Sequence, residues 1–288
     1  MDFFRFKKEL DLLYTSNAKI NLGLKIVGKR PDGYHNLETI FQEVSLSDSI
    51  WVEKSEEVEF ESNILELKNN ETNLCIKALR KLENFFGTNF PVKIRLEKKI
   101  PIGAGLGGGS SNAATILKAV CEIYKLEISD KDILNIASGL GADVPFFLKG
   151  KSAFAYGIGD KLEKIELPKD YKICLVFPKI LVSSAWAYSN LKINLTIKSS
   201  FNKFGTLQSE SSFWNELIPN LKNDFEDVVF KKYGQIREVK DKLNQSGSIK
   251  SLMSGSGSCV FGIFKELDEI KLKKMFEQKN LVFFAKPI

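Results

Sequence analysis

Pro101, Ile102, Gly103, Ala104, Gly105, Leu106, Gly107, Gly108, Gly109, Ser110 and Ser111 stand together near the middle of a 288-residue chain, with five glycines in seven positions. Glycine lets backbone N–H groups approach a ligand closely, at a cost in chain entropy that a plain turn has no reason to bear. Before this stretch, Val92, Ile94, Leu96 and Ile100 alternate with charged residues at the period of a half-buried strand. After it, Ala113, Ile116, Leu117, Val120, Cys121 and Tyr124 recur at helical spacing, with Ser110 or Ser111 placed to cap the helix. Strand, glycine loop and helix start form a cradle for phosphate, because unpaired amides and the positive helix end face the same anion. Gly103, Gly105 and Gly108 fit a dinucleotide spacing, but the strand and acidic residue that should follow are missing, since Glu127 and Asp130 fall where another helix begins. A Walker A loop needs a lysine, and none lies between Lys99 and Lys118.

Three other places carry chemistry by residue type. Lys19 and Asn21 share one face of an alternating stretch whose other face holds Ile20, Leu22, Leu24 and Ile26. A lysine there is either a functional cation or a solvated edge residue. Asp143 stands between Gly141–Ala142 and a rigid Val144–Pro145–Phe146–Phe147, as a partly buried carboxylate or as the N-cap of a short helix. His35, the single histidine of the chain, follows Tyr34 and the turn residues Pro31, Asp32 and Gly33. Its flat ring offers a stacking surface as readily as a base. A second glycine-rich loop, Ser254, Gly255, Ser256, Gly257 and Ser258, joins two apolar strands, either as a hairpin turn or as a wall opposite the first loop.

The elements that must position these residues follow from periodicity and punctuation. Strands are expected over 15–27, 41–46, 48–54, 58–60, 64–67, 92–100, 171–177, 249–253, 259–264 and 281–284, and helices over 73–86, 129–138, 184–191, 213–233, 235–243 and 266–277. Thr72 is the expected cap of the first of these helices and Gly87 its stop, while Ser129 and Asp132 form a capping-box-like pair. Gly157, Ile158 and Gly159 mark a boundary, dividing the chain into 1–157 and 158–288. Residues 192–212 are polar and serine-rich, a loop or lid. The interleaved strands and helices indicate an α+β protein.

Composition narrows the function classes. Apolar residues make up 43% and charged residues 27%, as in soluble globular proteins, and the net charge of +6 is scattered in short pairs rather than gathered into a basic tail. A modest pull on anionic metabolites follows, with no nucleic-acid signature and no membrane partner. Cys75, Cys121, Cys174 and Cys259 lie far apart without zinc-ligand spacing, which reads as free thiols in a reducing, cytoplasmic setting.

The residues 101–114 resemble the phosphate loop of the GHMP kinase superfamily, the small-molecule kinases of galactose, homoserine, mevalonate and phosphomevalonate. Ala18–Lys19–Ile20–Asn21–Leu22, the Asp32–Gly33–Tyr34–His35 turn and the Gly141–Ala142–Asp143–Val144–Pro145 segment are similar to one branch of it, and residues 254–261 match its C-terminal motif. The resemblance implies a two-domain fold, with an N-terminal ATP-binding domain (1–157), a C-terminal α/β sandwich domain (158–288) and the site in the cleft between them. It implies ATP and Mg²⁺, with the metal ligands unknown, and a cytidine-diphosphate-linked methylerythritol of the non-mevalonate isoprenoid pathway as the substrate. It further implies Asp143 as catalytic base with Lys19 beside it, the residues from Pro101 to Ser111 on the ATP phosphates, and Asn21, Tyr34 and His35 on the substrate. A second aromatic on the far side of the cytosine is expected at Tyr188, or failing that at Trp186. The alternatives are a homoserine- or mevalonate-type kinase, or a nucleotide- or RNA-binding module without catalysis.

Overall fold

The computed structural model describes residues 12–191 and 210–288, arranged in two compact units whose segments alternate along the chain. Of the described residues, one unit takes 12–16, 47–99 and 109–148; the other takes 17–46, 100–108, 149–191 and 210–288. Gly157 and Gly159, both at positive φ, turn one strand into the next. The segment 192–209 lies outside the described residues.

In the first unit, the latter part of β2 (His35–Lys54) pairs antiparallel with β4 (Val92–Glu97), and β3 (Glu59–Ser62) runs parallel to β4. Ile50, Val52, Ile94 and Leu96 point from these strands into the interior, each at most 1% exposed. Helix α1 (Leu74–Phe86) buries Cys75, Ile76, Leu79 and Leu82, as its 3–4 spacing requires. Its cap is Asn73 rather than Thr72: the Asn73 carboxamide accepts from the Cys75 amide at 2.9 Å, while Thr72 bonds to Asn70 in the preceding turn. Gly87 ends it in the left-handed conformation, at φ 67°. The residues 64–67 form turns rather than a strand, because Leu65 faces solvent with no partner strand to cover it. Helices α2 (Gly108–Tyr124), α3 (Asp130–Ser138) and α4 (Val144–Lys149) complete the unit.

In the second unit, β1 (Leu12–Lys29) pairs with β2, the first part of β2 with β5 (Ser152–Gly157), and β5 with β6 (Lys161–Lys164). The expected pair 41–46 and 48–54 is one continuous strand, since no residue between them breaks the extended backbone. A second sheet has the order β10 (Leu281–Ala285), β7 (Lys172–Phe177), β9 (Val260–Phe264), β8 (Lys250–Met253), all antiparallel. Helices α5 (Ser184–Ser189), α6 (Glu226–Lys232), α7 (Gly234–Gln245) and α8 (Glu269–Phe276) belong to this unit. The single helix expected over 213–233 is broken. Short helical turns run to Asn220, after which residues 221–224 leave the helix to bond with β1, Lys222 through its carbonyl to the Leu24 amide and Asp224 through its amide to the Leu24 carbonyl.

Candidate functional site

The glycine stretch shows why its glycines are needed. Gly103, Gly105 and Gly107 have φ of 67°, 78° and 68°, a region side chains avoid. A Cβ on Gly105 would sit 2.2 Å from the Ser254 carbonyl oxygen, so a side chain there is excluded by backbone. Ala104 and Leu106 turn inward to the core at 1% exposure, while Ile102, Gly103 and Gly109 stay exposed. The loop therefore anchors alternate residues and presents the backbone between them, and such a run of presented backbone suits phosphate oxygens. Helix α2 begins at Gly108, so Ser110 and Ser111 lie inside its first turn rather than capping it. Ser111 is buried and its hydroxyl accepts from Ser16 at 2.8 Å, whereas Ser110 is half-buried.

The second glycine loop is the support of the first. Ser254 donates its hydroxyl hydrogen to the Gly105 carbonyl at 2.8 Å and accepts from the Asn21 amide at 3.2 Å, and the Cys259 amide donates to the Ala104 carbonyl at 3.0 Å. Ser254 and Ser258 are fully buried, so this loop buttresses the cradle from within and is no open wall. Asn223 holds it in turn, donating to the carbonyls of Met253 and Gly255 at 2.7 and 2.8 Å.

Lys19 is attached to the same stretch, its amide donating to the Leu106 carbonyl at 2.9 Å. The solvated-edge reading of Lys19 fails: it is 4% exposed and Asn21 2%, so both faces of β1 are buried here. The Lys19 ammonium donates to Asn21 Oδ1 at 2.6 Å and stands 4.8 Å from the centre of the Phe41 ring. Asn21 Nδ2 donates to Thr39 Oγ1 at 2.8 Å, and Thr39 donates to the Gly23 carbonyl. In the first unit, Asp143 occupies the residue before α4 and is half-buried. The turn that carries it passes beside the first turn of α2, since a Cβ on Gly141 would lie 3.9 Å from Ser110 Oγ.

His35 and Tyr188 come together although 153 positions separate them (188 minus 35): their rings stack with centroids 5.2 Å apart and planes 22° apart. Tyr188 is braced edge-on by Phe225 at 4.8 Å, whereas Trp186 packs against Tyr233 and carries the Lys232 ammonium 4.0 Å above it. Partial burial and the nearby Lys29 charge hold the His35 pKa below the ordinary histidine value. Tyr34 is exposed next to it, its amide accepted by Asp32 Oδ1. Thr39 and Asn223 contact these residues and were missed by sequence reasoning. Thr39 left a signal, a polar residue between Leu37 and Phe41 on one strand face.

Among the described residues no group of three metal-binding side chains occurs, and no helix is long and apolar enough to cross a membrane. Mg²⁺ commonly sits on substrate phosphates with only one or two carboxylates, which this chemistry accommodates. The four cysteines are free, and burial pushes the Cys75 and Cys174 thiols up to about 12, which disfavours the thiolate.

A model of the GHMP kinases N terminal domain matches residues 73–151, and one of the GHMP kinases C terminal region matches 204–278. A protein of Pelodictyon phaeoclathratiforme named 4-diphosphocytidyl-2-C-methyl-D-erythritol kinase is 42% identical over 94% of this chain and 96% of its own. One of the same name from Prosthecochloris aestuarii is 44% identical over 93% and 94%. The crystal structure of a 4-(cytidine 5'-diphospho)-2C-methyl-D-erythritol kinase superposes with a TM-score of 0.79 at 30% identity, covering 96% of this chain and 99% of that one. A homoserine kinase from Cytophaga hutchinsonii, 17% identical with a TM-score of 0.73 over 99% and 100%, shares the fold.

Proposed function

The chain belongs to the GHMP kinase family, and from that premise we propose that it transfers the γ-phosphoryl group of ATP to the 2-hydroxyl of 4-diphosphocytidyl-2-C-methyl-D-erythritol, in the cytoplasm. The observation that carries this reading is likeness at 42% identity along nearly the whole chain to a protein named for that reaction. The Lys19–Asn21 face, the glycine cradle and the His35–Tyr188 pair supply parts that such a reaction needs.

In the proposed reaction the substrate hydroxyl oxygen bonds to the γ-phosphorus as the bond from phosphorus to the bridging oxygen breaks, and ADP leaves. Such transfers pass through a loose, charge-spread transition state, so the protein's work is alignment and neutralisation. Asp143 takes the hydroxyl proton, and Lys19 offers its ammonium to the developing charge. The amides from Gly103 to Ser111 and the start of α2 hold ATP phosphate oxygens, with Pro101 and Ile102 leading the strand into the cradle. Mg²⁺, when it accompanies ATP, would supply further charge neutralisation. Asn21 uses its oxygen and one amide hydrogen internally, leaving the other hydrogen for the substrate among the described residues.

Tyr34, His35 and Tyr188 receive the cytosine. A ring held between His35 and Tyr188 needs two contacts of about 3.5 Å, so their centroids must part from 5.2 Å to about 7 Å. The pair is thus a closed stack that the base replaces. A lowered His35 pKa keeps the ring neutral for that purpose.

ATP turnover with 4-diphosphocytidyl-2-C-methyl-D-erythritol, homoserine and mevalonate as acceptors tests the reading. Turnover with the first alone, inhibited by CMP, is expected; turnover with either of the others, or with none, overturns it. Asp143→Asn should lower kcat by about 10²- to 10⁴-fold in folded protein, and near-normal turnover would remove Asp143 as the base.

A further inference from the structure

Thr39 is wholly buried, holds no charge and lies near the start of β2, so neither its exposure nor its charge marks it as part of a phosphoryl-transfer site. Its hydrogen bonds do. The Gly23 carbonyl can only accept, so the Thr39 hydroxyl, which bonds to it, has its single hydrogen committed there. Toward Asn21, Thr39 therefore presents lone pairs alone. The carboxamide of Asn21 has two ends of nearly equal shape, and sterics hardly distinguish one orientation from the other. Hydrogen-bond polarity does: the nitrogen must face Thr39, at 2.8 Å, and the oxygen must then face Lys19, at 2.6 Å.

We infer that Thr39 is a positioning residue for the Lys19 ammonium, acting through Asn21. Three residues of β1 and one of β2 form a directed chain, Lys19 to Asn21 to Thr39 to the Gly23 carbonyl, in which each link sets a donor against an acceptor. Gly23 adopts φ 140°, a value side chains disfavour, and supplies the acceptor that sets the direction of the whole chain. Phe41, two residues beyond Thr39 and so on the same strand face, presents its ring to the ammonium from a second side. Without the Thr39 hydroxyl the Asn21 amide is free to turn its N–H groups toward Lys19, setting donor against cation. The ammonium then shifts from where the γ-phosphoryl develops charge, and a misplacement of about 1 Å is enough to cost on the order of 10²-fold in rate.

This inference rests on the proposed part of Lys19 in the reaction, and steady-state kinetics on four variants separate the two. Thr39→Val keeps shape and removes the hydroxyl; it should lower kcat by about 10- to 100-fold with KM for ATP and for the alcohol little changed. Thr39→Ser keeps the hydroxyl and should restore kcat close to the original value. In a Lys19→Met background Thr39→Val should cost nothing further, because the group it positions is gone. Melting temperatures establish that each variant is folded, and Thr39→Ala gives the same hydroxyl deletion should the valine not be accommodated. Full kcat in Thr39→Val, a Thr39→Ser enzyme as slow as Thr39→Val, or an undiminished loss on top of Lys19→Met overturns the positioning role alone. Full kcat in Lys19→Met overturns the part assigned to Lys19, and the inference with it.

Discussion

Each compact unit buries one polar network next to the glycine stretch, and the two are anchored in opposite ways. In the first unit the anchor is a carboxylate. Asp48, fully buried, accepts from Lys98 Nζ at 2.5 Å, from Asn112 Nδ2 at 2.9 Å and from the Lys99 amide at 2.7 Å. Asn112 passes the order on, donating to Ser16 Oγ at 2.9 Å, and Ser16 donates to Ser111 in the first turn of α2. In the second unit the anchor is the Gly23 carbonyl and every link before Lys19 is neutral. A buried ion pair is costly to break because the surviving partner keeps its charge without solvent. A neutral hydrogen bond is cheaper to lose, yet about 1.4 kcal/mol is already tenfold in a rate. The first network is therefore suited to holding the start of α2 in place, and the second to orienting a single side chain.

That contrast breaks if the two networks respond alike. The largest effect is expected for Lys98→Met, which takes the Lys98 ammonium away from the buried Asp48 carboxylate. It should lose about 3–5 kcal/mol of unfolding free energy in urea titration, and a loss as small as that of a neutral deletion would refute the carboxylate anchor. Ser16→Ala leaves one Asn112 amide hydrogen unpaired and should cost about 1–3 kcal/mol in the same titration. A loss in Ser16→Ala equal to that of Lys98→Met would mean that charge is not what distinguishes the networks. The smallest effect concerns the second unit, through its single histidine. Because burial, and then Lys29, place the folded-state pKa of His35 below its unfolded value near 6.5, the folded protein binds that proton less readily. Stability should therefore be fully present above the unfolded value and decline as pH falls through it toward the folded one, and His35→Asn should flatten that part of the profile. An identical profile in the variant would show that His35 is not the titrating group.

Much of this was legible in the residue order. The alternation of Ile20, Leu22 and Leu24 marked one buried face of β1, and the spacing of Ile76, Leu79 and Leu82 marked the inner face of α1. Both signals are local, because period alone decides which side chains point together. The helix expected through 213–233 was misread for the converse reason. Its apolar pattern is helical, but Leu24 offers backbone partners to residues 222 and 224 that no local pattern reveals. The cap of α1 shifted from Thr72 to Asn73 because Asn70 claims the threonine hydroxyl.

By itself the sequence determined that a glycine-rich backbone follows a strand and enters a helix, which is enough for a phosphate cradle, and that Lys19 and Asn21 share one strand face. Glycine conformations and strand alternation are properties of neighbours along the chain. Only the tertiary structure decided that this face is buried, that Ser254 fills the space beneath Gly105, that Tyr188 meets His35, and that Thr39 sets the direction of the bonds reaching Lys19. Each of these depends on which distant segment covers a surface and on whether its polar atoms donate or accept there, and no spacing within a single element carries that information.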